Sequence, residues 1–249
     1  RTLLANAVTG VSKAVTQRSS IPVLEGILLK ADGFQLTLTG YDLEMGITTS
    51  IEANVLSPGE TVLSARLLGD MVRHLSSDEV EITVSETNNA TIKGGITEYN
   101  NIVCMNPGDF PELPKPGADQ TLNLDTATLR EMVETTLYAV SIDDKKPAHT
   151  GELFVIEPEQ LTVVALDGLR LAIIKKPVKA AKEINIIIPA KTIGEVIKLF
   201  TNDDEVIHIA ANRRFVVFSS QTYTVISRLI EGDFLDYKRV LPEGWRTRV

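Results

Sequence analysis

Two acids side by side, Asp143 and Asp144, precede two bases, Lys145 and Lys146, and His149 follows shortly after. Paired carboxylates beside an imidazole are the material of acid–base hydrolysis, where one group withdraws a proton and another supplies one. The same residues also spell a charged turn, since an Asp side chain readily accepts from backbone N–H groups just ahead of it. The turn is the simpler reading. Other reactive chemistry is scarce. His74 and His208 stand apart, and Cys104 is the one cysteine, so no zinc-ligand spacing and no internal disulfide arises. The chain has no Gly-rich phosphate loop, HExxH pair, nucleophile elbow or dinucleotide fingerprint. The expectation is a protein with no catalytic residue, no metal and no cofactor.

What remains is electrostatic. Arg66, Asp70 and Arg73 stand at i, i+4 and i+7, and Lys191, Glu195 and Lys198 repeat that plus, minus, plus stripe. Such a stripe is either a solvated helix face braced by its own ion pairs or a surface that holds a phosphate backbone loosely. Residues 1–20 add Arg1, Lys13 and Arg18 without an acid. The whole chain nevertheless carries a net charge of -8, which argues against tight, indiscriminate adhesion to nucleic acid. Cations gathered on helices therefore imply an acidic remainder.

These side chains sit in a pattern written twice. A shift of 125 residues lays Gly26 on Gly151, Leu36 on Leu161, Asp42 on Asp167 and Ala65 on Ala190. RLLGDMVRHL at 66–75 meets KTIGEVIKLF at 191–200 in phase, and GDFPELP at 108–114 answers GDFLDYKRVLP at 232–242 after a slip of one residue. A period this long is a whole small domain rather than a solenoid unit. The predicted domains are residues 1–118 and 119–243, with 244–249 beginning a further repeat. TLNL at 121–124 has no counterpart before Arg1, so the first copy lacks an opening strand and the chain reads as a fragment of something longer.

Each copy reads helix, strands, helix, strands. Leu4, Ala7, Val8, Val11, Ala14 and Val15 share one face of a first helix, as do Leu129, Met132, Val133, Thr136, Leu137 and Val140 in the second copy. Alternating stretches such as QLTLTG, VEITV, RFVVF and YTVISRLI, bounded by polar turns, predict antiparallel strands. The fold class is α+β, with two helices packed on antiparallel sheet in each copy. Asp42 and Asp167 recur just after a strand, which predicts a carboxylate capping a turn. At 43% hydrophobic and 23% charged the chain sustains two ordinary cores. Its apolar runs fall well short of the roughly 20 residues of a membrane helix, and its cysteine usage fits a reducing compartment.

The strings RSSIPVLEGILL, LTLTGYDLEM, GDFPELP, VVALDGLRLA, IIIPAKTI and SRLIEGDFLDYKRVLP, in this order, resemble the first and middle domains of the bacterial DNA polymerase III β subunit, the replication sliding clamp. The resemblance spans nearly the whole chain. It implies a duplicated clamp-type fold that encircles duplex DNA without sequence preference, in a head-to-tail homodimer of three-domain subunits, and that tethers the polymerase without being an enzyme. On that resemblance Lys13, Arg18, Arg66, Arg73, Lys145, Lys146, Lys191 and Lys198 face DNA. Short Gln, Leu and Phe motifs of the polymerase III α subunit, the clamp loader, other polymerases and repair proteins dock on Leu166, Gly168, Leu169, Arg170 and Leu171, with His149, Leu235, Arg239 and Val240 nearby. His149, Leu169 and Leu235 depart from the family's usual Leu, His or Tyr, and Pro. The strand around Ile102 and Cys104 belongs to the subunit interface, and the location implied is bacterial cytoplasm, at the nucleoid. With no third domain, the fragment is expected to form no closed ring. An interaction scaffold of the same fold, without topological hold on DNA, is the alternative.

Overall fold

A computed structural model describes residues 1–117 and 119–241. The expected third repeat at 244–249 lies outside the described residues, as does the boundary residue 118. The chain groups into two compact units, one of residues 1–117 with 217–227, the other of the remaining described residues.

The first unit opens with α1 (Thr2–Val11), then β1 (Gly26–Asp32), β2 (Gln35–Tyr41), β3 (Met45–Glu52), β4 (Gly59–Ser64), α2 (Ala65–His74), β5 (Glu81–Val84), β6 (Asn89–Gly94) and β7 (Thr97–Val103). The strands are antiparallel. β1 lies between β2 and β4, β3 follows β2, and β5, β6 and β7 form a separate sheet in that order. α1 packs on β2, β3 and α2, and its apolar stripe of Leu4, Ala7, Val8 and Val11 is buried. The sequence runs this helix to about residue 16. The α-helix instead ends at Val11 and passes into a 3₁₀ turn over Ser12–Ala14, where the Ser12 hydroxyl donates back to the Val8 carbonyl at 2.5 Å. Ala14 stays fully buried.

The second unit repeats the order: β8 (Gln120–Asp125), α3 (Thr126–Thr136), β9 (Gly151–Ile156), β10 (Gln160–Leu166), β11 (Leu171–Pro177), β12 (Ile184–Pro189), α4 (Ala190–Leu199) and β13 (Val206–Ala211), followed in the chain by β14 (Phe215–Ser219) and β15 (Tyr223–Arg228). β9 lies between β10 and β12, β11 closes the far side of β10, and β8 pairs with β13. Residues 223–227 of β15 fall in the 217–227 segment that groups with the first unit, where Val225 faces Ile47 of β3.

The recurring glycine at the start of β1 and β9 has a direct physical reason. A Cβ on Gly26 would stand 2.4 Å from Val62 Cγ1, and one on Gly151 would stand 2.4 Å from the Ile188 carbonyl oxygen. At both places the strand begins pressed against its neighbour, so only glycine fits.

Candidate nucleic-acid interface and peptide pocket

The cationic stripes are exposed helix faces. On α2, Arg66, Asp70 and Arg73 face solvent opposite buried Leu68 and Val72, and Arg73 pairs with Asp70 at 2.5 Å. On α4, Lys191 and Lys198 are exposed opposite Ile193 and Val196, and Lys198 pairs with Glu195 at 2.9 Å. The Arg73–Asp70 and Lys198–Glu195 pairs are surface ion pairs of the weak kind. Lys13, in the turn after α1, and Arg18 are exposed in the first unit. In the second, Lys145 and Lys146 are exposed in the loop before β9.

That loop settles into a turn. The Asp143 carboxylate accepts from the Lys145 N–H at 3.0 Å, and the Lys146 N–H bonds the Asp143 carbonyl. The described residues contain no cluster suited to hold a metal ion. No helix among them is long and apolar enough to cross a membrane.

Of the residues expected to receive a peptide, Leu166 and Leu171 belong to one apolar cluster in the second unit. Leu166 is buried with Ala148, Leu153, Val155, Val164, Ile187 and Tyr237, and Leu171, Ile173, Ile230 and Phe234 pack against it while remaining partly exposed. His149 meets Phe234 edge to face, with ring centroids 5.4 Å apart. Burial, aided by the nearby Lys146 cation, lowers the His149 pKa below the ordinary imidazole value.

Asp167 shapes the loop between β10 and β11. Its Oδ1 accepts from the N–H groups of Leu169 at 2.9 Å and Arg170 at 2.8 Å, and Gly168 takes a φ of +91° at the bend. Its Oδ2 accepts from Arg170 Nε at 2.9 Å and from an Arg170 terminal nitrogen at 2.6 Å. The backbone donor from Leu169, then the Arg170 guanidinium and N–H, hold this carboxyl down at about 2. Arg170 also lies 6.0 Å from the centre of the Tyr138 ring. The guanidinium is therefore already partnered, as is that of Arg239, 2.9 Å from Asp236. Leu169 is 96% exposed at the loop tip, and Leu235 and Val240 are exposed beside the cluster.

Sequence reasoning missed Phe234, Tyr237 and Ala148 in this cluster, and Tyr138 beside Arg170. A signal existed for Phe234 and Tyr237 in the repeated GDF segment; none marked Tyr138. At the first unit's edge, Ile102 is half-buried on β7, whose one strand neighbour among the described residues is β6. Cys104 lies just past β7 with its side chain buried and its N–H bonded to the Asn88 carbonyl.

Comparison with known proteins fits both copies. Residues 1–114 match the family described as DNA polymerase III beta subunit, N-terminal domain, and residues 123–236 match the central domain. The beta sliding clamp of Halalkalibacterium halodurans is 32% identical over 99% of this chain and 68% of its own length. That of Staphylococcus aureus is 30% identical over 95% of the chain and 65% of its own. Among solved structures, the DNA polymerase sliding clamp of Bacillus subtilis superposes with a TM-score of 0.93 at 28% identity, covering 98% of this chain and 66% of that one. The putative DNA polymerase III beta subunit of Eubacterium rectale gives a TM-score of 0.90 at 31% identity, covering 95% and 65%. The chain thus spans about two thirds of the length of these relatives.

Proposed function

Because this chain belongs to the DNA polymerase III beta subunit family, we propose that it supplies two domains, residues 1–118 and 119–243, of a sliding clamp that encircles duplex DNA and tethers a replicative polymerase. The observation that carries this reading is the pairing of two consecutive family matches with two helices, α2 and α4, that expose the same cationic stripe. Lys13, Arg18, Arg66, Arg73, Lys191 and Lys198 face the phosphates, with Lys145 and Lys146 at the ring's rim. Their contacts are weak, screened and blind to sequence, which lets the ring slide; a net charge of -8 keeps the outer surface from binding DNA. Processivity then comes from the high effective concentration of a tethered polymerase, and the clamp itself performs no catalysis.

Partners dock on the second domain. The cluster around Leu166, Leu171 and Phe234 takes the Leu and Phe side chains of a short motif, while His149, Arg170 and Arg239 set its polar rim. Polymerase III α subunit, clamp loader and repair proteins are the class of partner. Ring closure, head to tail, uses the open edge of β7 around Ile102 with a third domain, in the bacterial cytoplasm at the nucleoid.

The test joins the chain to a third domain and loads it with a clamp loader onto nicked circular plasmid. Retention that disappears on linearisation is the expected result. Equal retention on circle and line would mean ordinary DNA binding, and no retention on either would favour an interaction scaffold; both overturn the proposal.

A further inference from the structure

Glu152 stands on β9 with 0% of its surface exposed. Its Oε1 lies 2.6 Å from the hydroxyl of Thr136, itself fully buried at the end of α3, and its Oε2 has no hydrogen-bond partner. The Thr136 hydroxyl is also 2.9 Å from the Met132 carbonyl oxygen. A hydroxyl has one proton to donate. With Glu152 ionised, that proton goes to Oε1, and a carboxylate with an unpartnered oxygen is left in an apolar core. With Glu152 protonated, its O–H donates to Thr136, which donates to Met132, and two bonds run in series. The geometry matches the neutral acid. Burial pushes the carboxyl up to about 8, opposed in part by the Thr136 bond.

The first copy shows that the fold does not need this polar pair. A shift of 125 places Val11 and Ile27 at the positions of Thr136 and Glu152, and both are 0% exposed. Nearby charges do not explain the pair either. α3 carries Arg130, Glu131 and Glu134; Arg130 pairs with Asp203, Glu131 with Lys176, and Glu134 is exposed. α4, which also packs on β9, carries Lys191, Glu195 and Lys198, the last two paired together. The turn at Pro147–Thr150 brings His149, preceded by Lys146, whereas β10 and β12 carry no acid or base. None of these groups contributes to the displacement of Glu152.

We propose that Glu152 and Thr136 form a proton-dependent latch between β9 and α3, closed while Glu152 is protonated and loosened in mildly alkaline solution. The first unit, with Ile27 and Val11, lacks it. The folded carboxyl holds its proton above the ordinary value of 4.5. The latch's contribution is therefore complete below that value, declines above it, and is lost as pH rises through about 8. The opposite face of β9 carries Leu153 and Val155 into the peptide-wall cluster, so loosening reaches that wall.

The test follows glutamate side-chain carboxyl signals of the whole chain by ¹³C NMR, with Glu152→Gln and Glu152→Met identifying the signal of interest. Urea unfolding at about pH 5 and about pH 9 accompanies it. One carboxyl titrating near 8 is expected, with the wild-type folding constant falling by roughly a hundredfold or more relative to Glu152→Gln between the two pH values. Glu152 titrating below about 6 would overturn the latch. So would equal pH dependence in wild type and Glu152→Gln or, should that variant not fold, Glu152→Met.

Discussion

The apolar clusters on the equivalent strands of the two units are built from different side chains. In the first, Val23, Leu24, Tyr41, Val62 and Phe110 are all buried, with partly buried Leu28, Met105 and Leu113 packed against them. Their repeat partners in the second are Ala148, His149, Leu166, Ile187 and Phe234. Valine has become alanine, a leucine 1% exposed has become a partly exposed histidine, and the phenylalanine has gone from buried to half-exposed. The backbone is alike, with a 3₁₀ turn at Pro22–Glu25 matched by one at Pro147–Thr150 and an Asp-capped turn at Asp42 matched at Asp167. Alanine for valine and histidine for leucine on the same scaffold accompany a phenylalanine that keeps more of its ring exposed. The lesson is that duplication preserves the frame while a few side chains decide how much apolar surface a cluster leaves exposed.

The sharpest way to break this comparison is to remove the equivalent rings. Phe110→Ala should cost about 3–5 kcal/mol of stability, as truncation of a buried Phe does, with no loss of peptide binding while the protein is folded. Phe234→Ala should cost roughly 1–2 kcal/mol and weaken a Gln/Leu/Phe peptide by about tenfold or more. Urea denaturation and fluorescence anisotropy separate the two effects. Equal costs with unchanged binding would dissolve the distinction.

Exchanging the buried pairs is the next largest change. Thr136→Val with Glu152→Ile should raise stability by about 1–3 kcal/mol near pH 8 and flatten its pH dependence. Placing Thr at 11 and Glu at 27 should impose that dependence on the first unit. Urea midpoints across pH report both.

A smaller effect is expected at the pocket loop. Asp167→Asn keeps an oxygen for the N–H groups of Leu169 and Arg170 but frees the Arg170 guanidinium. Affinity for a peptide bearing a carboxylate should then rise by roughly two- to fivefold, measured by calorimetry. Because the wild-type carboxyl is held at about 2, wild-type Arg170 should stay neutralised across the range where the pocket works. Smallest of all, Arg73→Ala or Lys198→Ala in a loaded clamp should lower the salt slope of DNA retention by less than about 0.9, since each cation is already shared with Asp70 or Glu195.

Much of this architecture was legible in the residues because both copies obey the same packing rules. Gly26 and Gly151 recur since the neighbouring strand leaves no room for a side chain, and the helix stripes recur since each packs on the equivalent strands of its own copy. The first helix read too long because apolar spacing continues through Ala14, whereas the Ser12 back-bond and the 3₁₀ turn are not encoded in that spacing. Glu152 escaped notice because every residue of β9 is buried, so alternation gives no clue to which face meets α3. Phe234 escaped for the opposite reason: its GDF segment looks identical to the one holding Phe110, and only the residues opposite, Leu24 or His149, decide which ring is exposed.

The most direct measurement follows backbone amide shifts of the whole chain during titration with a Gln/Leu/Phe peptide. The account predicts changes confined to residues 148–149, 166–171 and 234–240, with their repeat partners at 23–24, 41–46 and 110–114 unmoved. Equal changes in both sets, or none in the second, would contradict it.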